Sequence, residues 1–106
     1  MITSVQLQGK KLRINLDEAS SYSRAIEDLR TLASQRGLNL TPLEYNHGVF
    51  GRVRIMSFTQ GQGEVIAIAH LKKVPYWNPV DSGTYYLSPG KSENDLGRLA
   101  KILSTA

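Results

Sequence analysis

Histidine is the side chain best suited to moving a proton near neutral pH, and this chain has two, His47 and His70. His47 sits in Tyr45-Asn46-His47-Gly48-Val49-Phe50, a polar bend leading into a strand. An imidazole there can act as general base toward a ribose 2′-hydroxyl. It can equally do no more than hydrogen-bond to the backbone of its own loop. His70 opens the stretch His70-Leu71-Lys72-Lys73-Val74-Pro75-Tyr76-Trp77-Asn78-Pro79, where a His and two lysines meet a Tyr-Trp pair between prolines. Cationic stems beside flat rings suit a polyanion whose bases can stack. The same mixture suits a protein-protein anchor, where Trp, Tyr and basic residues carry buried contacts.

Other chemistries find less to work with. Two histidines and no cysteine supply no zinc set, no thiol nucleophile and no disulfide. Gly90-Lys91-Ser92 precedes a helical pattern, but position 85 is Tyr, so the upstream glycine of a phosphate-binding loop is missing. Between the two helical segments the carboxylates are Glu44, Glu64 and Asp81, too scattered to suggest a paired acid and base. No metal site and no cofactor are expected. The basic residues form three clusters: Lys10, Lys11 and Arg13; Arg52 and Arg54; Lys72 and Lys73. Set beside Tyr76 and Trp77, the last two clusters and His70 make the expected binding site.

Size and composition agree with a small globular domain. The 106 residues read as a single domain spanning 1–106, with 41% apolar residues, enough to build a core. The net charge of +4 is modest and favours anionic partners such as nucleic acid. Val65 to Ala69 is the longest apolar run, far short of the ~20 residues a membrane span needs. Met1-Ile2-Thr3-Ser4 lacks the basic and apolar regions of a secretory leader. The expected location is the cytoplasm, with no membrane partner.

The elements that must carry these residues follow from periodicity. Residues 3–8 and 11–16 alternate apolar with polar, and Gly9-Lys10 between them suits a type II′ hairpin turn. The polar side of that hairpin carries Gln6, Gln8, Lys11 and Arg13. Asp17 is placed to cap a helix running to about Arg36, with Tyr22, Ile26, Leu29 and Ala33 on one stripe. Thr41-Pro42 breaks the pattern, leaving a short strand at 43–45. A longer hairpin spans 52–59 and 64–72, joined by a loop of about four residues around Gly61-Gln62-Gly63. Apolar residues on both sides of 64–72 predict a strand covered on both faces. Thr84 to Leu87 is a further candidate strand, and Ser92-Glu93-Asn94-Asp95 resembles a capping box opening a helix over 93–104. The expected class is α+β: an N-terminal β-hairpin, then a helix, a three-stranded antiparallel sheet and a C-terminal helix.

The order helix, three strands, helix is that of the double-stranded-RNA-binding domain. Gly90-Lys91-Ser92-Glu93-Asn94-Asp95-Leu96-Gly97-Arg98-Leu99-Ala100 resembles the glycine-x-serine entry into that family's last helix. The resemblance implies an RNA partner held through its phosphates. Glu93 and Asn94 stand where the family has lysines. HicA-type mRNA interferase toxins use the same fold and are similar in Pro89-Gly90-Lys91 followed by Leu96-Gly97-Arg98-Leu99-Ala100-Lys101-Ile102-Leu103. They place a catalytic histidine on the first strand after the first helix, which implies His47. The likeness extends over roughly 60 residues.

These readings converge on a nucleic-acid-binding domain, with RNA favoured. Arg52, Arg54, Lys72 and Lys73 would meet phosphates, while Tyr76 and Trp77 would stack on bases. The alternative is a non-enzymatic inhibitor or adaptor of the kind phages and mobile elements carry, anchored on a protein partner through the aromatic loop. A ribonuclease centred on His47 is the third reading. An open sheet edge would also allow a homodimer.

Overall fold

A computed structural model of the chain describes residues 1–18, 21–49, 51–73, 83–90 and 96–104, without the side chains of 45–47, 52, 53 and 73. The elements run β1 (Ile2–Gln8), β2 (Lys11–Leu16), α1 (Tyr22–Gln35), β3 (Leu38–His47), β4 (Gly51–Gln60), β5 (Glu64–Lys73), β6 (Thr84–Pro89) and α2 (Leu96–Ser104). All six strands join one antiparallel sheet in the order β1-β2-β6-β5-β4-β3. The α+β class is as expected. The three-stranded sheet with a separate hairpin is not, because β6 bridges the two parts. Ile14 pairs with Tyr85 and Leu12 with Leu87 on one side of β6, while Leu71 pairs with Leu87 on the other.

The reason is burial. An isolated two-stranded hairpin is marginal in water. Leu12, Ile14 and Leu16 need a cover, and joining the sheet through β6 places all three in the core shared with the helices. Each such side chain contributes about 1.5–3 kcal/mol on burial. At the hairpin tip Gly9 takes a φ of 61° while no non-glycine among the described residues has positive φ, as a type II′ turn with Gly first requires.

Three further expectations are corrected. Ser21, not Asp17, caps α1, its hydroxyl accepting from the Arg24 N–H at 3.2 Å. Asp17 instead receives the Met1 amino group at 2.9 Å. Thr41-Pro42 does not break the chain but lies inside the ten-residue β3. β3 pairs only with β4, so as an edge strand it tolerates the N–H that proline lacks. Finally, β5 is a central strand, as expected, but among the described residues helices cover only one of its faces. Its register with β4 slips between Phe58 and Thr59, so Phe58 pairs with Ala67, Thr59 with Val65, and Ile66 is the extra residue. That bulge lets Ile66 and Ala67 both enter the core while Val65 stays 54% exposed. The connecting loop has three residues, since Gln60 pairs with Glu64. The capping box at 92–95 lies outside the described residues.

Both helices pack on the same face of the sheet. Ala25, Leu29 and Ala33 of α1 and Leu96, Leu99, Ala100 and Leu103 of α2 share one cluster with Leu12, Ile14, Met56, Phe58, Tyr85 and Leu87. Both edge strands touch α1, so the sheet curls around the helices. Among the described residues no helix packs on its other face.

Candidate functional site

Residues paired across antiparallel strands point to the same face, and neighbours along a strand to opposite ones. Arg13 pairs with Gln6 on β1 and with Tyr86 on β6, and Tyr86 pairs in turn with Lys72 on β5. The row Gln6–Arg13–Tyr86–Lys72 therefore crosses four adjacent strands. Their neighbours Leu12, Tyr85, Leu87 and Leu71 are buried against the helices, so this row lies on the helix-free face. Lys11, which pairs with Gln8, sets its ammonium 5.7 Å from the centroid of the Tyr86 ring. His70 pairs with Ser88, two residues along from Lys72 on the same face.

A polar network holds the cations in place. Arg13 Nε donates to Asn15 Oδ1 at 3.2 Å, and Thr84 Oγ1 donates to the same oxygen at 3.1 Å. Asn15 Nδ2 donates to Ser4 Oγ at 2.7 Å, tying β1, β2 and β6 together. His70 Nδ1 lies 3.0 Å from the Arg54 carbonyl oxygen. A carbonyl only accepts, so Nδ1 carries the proton and Nε2 is the nitrogen left for other partners. Regular pairing of β4 with β5 ends at Met56–Ala69, and the imidazole bridges the two strands beyond that point.

The acids of the strands are on the other side. Only Glu44 and Glu64 among all strand residues are acidic. Glu44 pairs with Arg54 across β3 and β4, their side chains meeting at 3.0 Å, and the Arg54 guanidinium stacks 4.7 Å from the centroid of the α1 ring of Tyr22. Glu64 meets Arg98 of α2 at 3.4 Å. Both pairs thus belong to the helix-bearing face. Burial pushes the phenol of Tyr22 upward, with the Arg54 charge opposing, and burial does the same to Tyr85, which packs edge-on against Tyr22 at 6.5 Å.

The structure brings together His70 and Lys72 of the expected site, and adds Lys11, Arg13 and Tyr86. It sends Arg54 to the opposite face, where it clamps α1 onto β3 and β4. Arg52 and Lys73 lie in β4 and β5, paired in register with Asn46 and Tyr85, and His47 ends β3 opposite Gly51, but these three side chains are outside the described set. Tyr76 and Trp77 lie outside the described residues altogether. Tyr86 was legible in principle, since it alternates with the apolar Tyr85 and Leu87 in a short strand. What no local pattern reveals is the pairing that sets it between Arg13 and Lys72. Among the described residues no group of acids and histidines can hold a metal, and no helix is long and apolar enough to cross a membrane. No known protein family, curated protein or solved structure matches the chain.

Proposed function

We propose that this chain binds single-stranded nucleic acid, RNA in preference, across the helix-free face of its sheet. One observation carries the reading: an acid-free strand surface on which Lys11, Arg13 and Lys72 surround the ring of Tyr86. Three cations spaced over neighbouring strands match a phosphate backbone, and a half-buried tyrosine between them offers a plane for one unpaired base. A sheet that presents aromatic and basic side chains on its open face is a common platform for unpaired bases. Duplex RNA, which is read by shape along its grooves, has less use for a central ring.

The test is fluorescence anisotropy of a labelled single-stranded RNA with the whole chain at low and at moderate salt. Binding that weakens steeply with salt supports the proposal. The charge-reversed double variant Lys11→Glu/Lys72→Glu should abolish the signal while leaving the circular dichroism spectrum unchanged. Equal binding by that variant refutes it.

A further inference from the structure

The sheet has two edges, and they differ. β3 carries Pro42 and Glu44, both of which discourage a further strand. On β1, past the register slip between Ile2 and Ser4, the run Ser4-Val5-Gln6-Leu7-Gln8 has no charge and no proline. It also leaves Leu7 48% exposed on the helix-bearing side, beside a groove shared with α2. From this edge we infer that the chain forms a homodimer by antiparallel pairing of β1 with β1 of a second copy.

The segment is complementary to itself. With Gln6 on the two-fold axis, Gln6 faces Gln6 of the second copy, Val5 faces its Leu7, and Ser4 faces its Gln8. Apolar residues then meet apolar ones on the helix side, and polar residues meet polar ones on the open side. No like charges oppose each other within the strands. The axis stands perpendicular to the sheet, so both helix-free faces end up on one side of a twelve-stranded sheet. Resting on the function proposed above, this deepens the site. The Arg13 residues of the two copies come within about 14 Å and the Tyr86 residues within about 24 Å, at the ~4.8 Å spacing of strands. One single strand of RNA can then run from one cationic patch to the other through the Gln6 and Gln8 residues.

Sedimentation equilibrium of the whole chain without RNA should show a concentration-dependent dimer. Leu7→Lys, which removes two Val5–Leu7 contacts and lies off the RNA face, should weaken it by about 2- to 30-fold or more.

Because the chain has no cysteine, Gln6→Cys places two thiols opposite each other at the axis and should oxidise readily to a covalent dimer. Thr41→Cys on the β3 edge should not. A chain that stays monomeric at millimolar concentration overturns the inference. So does equal crosslinking of the two cysteine variants. Failure of RNA binding leaves these readouts untouched, so the two proposals fail separately.

Discussion

Lys72 and Arg54 belonged to one expected site, and the structure sets them on opposite faces. That separation makes a sharp experiment. Three described strand cations surround Tyr86, and each neutralised phosphate on a single strand contributes about −0.7 to the slope of log affinity against log salt. Three contacts give a slope near −2.1, so raising salt fourfold should weaken binding by roughly 18-fold. Lys72→Gln removes one contact, which brings the slope to about −1.4 and the loss to about 7-fold. Tyr86→Ala should instead lower affinity by about 1–3 kcal/mol, or 5- to 150-fold, with the slope unchanged, because stacking releases no counterion.

Arg54→Gln is the control. Its guanidinium is engaged by Glu44 and by the Tyr22 ring, so RNA affinity should hold. The cost should appear as stability, about 0.2–1 kcal/mol for a half-exposed ion pair and about 0.5–1 kcal/mol for the ring contact. Anisotropy titrations at four salt concentrations, with urea unfolding alongside, measure all of this. Equal loss of affinity from Arg54→Gln and Lys72→Gln would refute the face assignment. An unchanged affinity for Tyr86→Ala would refute stacking.

Three more outcomes follow from packing and ionisation. Leu12 is fully buried where the hairpin meets β6, so Leu12→Ala should cost about 2–5 kcal/mol in urea unfolding and lower the stability of the whole domain. Gly83→Ala should cost about 1–3 kcal/mol, because a Cβ there would lie 2.9 Å from the Glu18 carbonyl oxygen and 3.1 Å from that of Leu16. Burial raises the phenols of Tyr22 and Tyr85 above their ordinary value of 10.0. Their contribution is therefore complete below pH 10 and is lost as pH climbs through the raised values. The melting temperature should fall above pH 10, and by less in Tyr85→Phe than in the parent chain.

Much of the fold could be read locally, and what could not has a common cause. The stripe of α1, the Gly9-Lys10 turn and the strands β2, β4 and β5 all follow from short-range periodicity and turn chemistry. The union of hairpin and sheet depends on Ile14 meeting Tyr85, a contact between segments that no local pattern links. The site suffered from a finer problem. Shifting a strand by one residue moves every side chain to the other face. A loop of about four residues between β4 and β5, with a regular ladder, leaves open whether Arg54 sits beside Lys72. The observed three-residue loop and the bulge at Ile66 fix Met56 opposite Ala69, and that parity parts Arg54 from Lys72.

The net charge of +4 said little by itself; its distribution says more. Arg24, Arg30, Arg54 and Arg98 each meet a carboxylate, from Asp28, Glu27, Glu44 and Glu64 respectively. Asp17 and Asp28 share the Met1 amino group. The described acids are thus almost all committed to the helices, to the helix-bearing face or to the amino terminus. Lys11 and Lys72, by contrast, meet no carboxylate among the described residues, and they stand on the one face that no helix covers. Solubility alone asks only that charges be spread over the surface. Among the described residues, ion-paired arginines are sorted to one side and lysines without a carboxylate partner surround an aromatic ring on the other, so the strands carry their uncompensated positive charge on the open face.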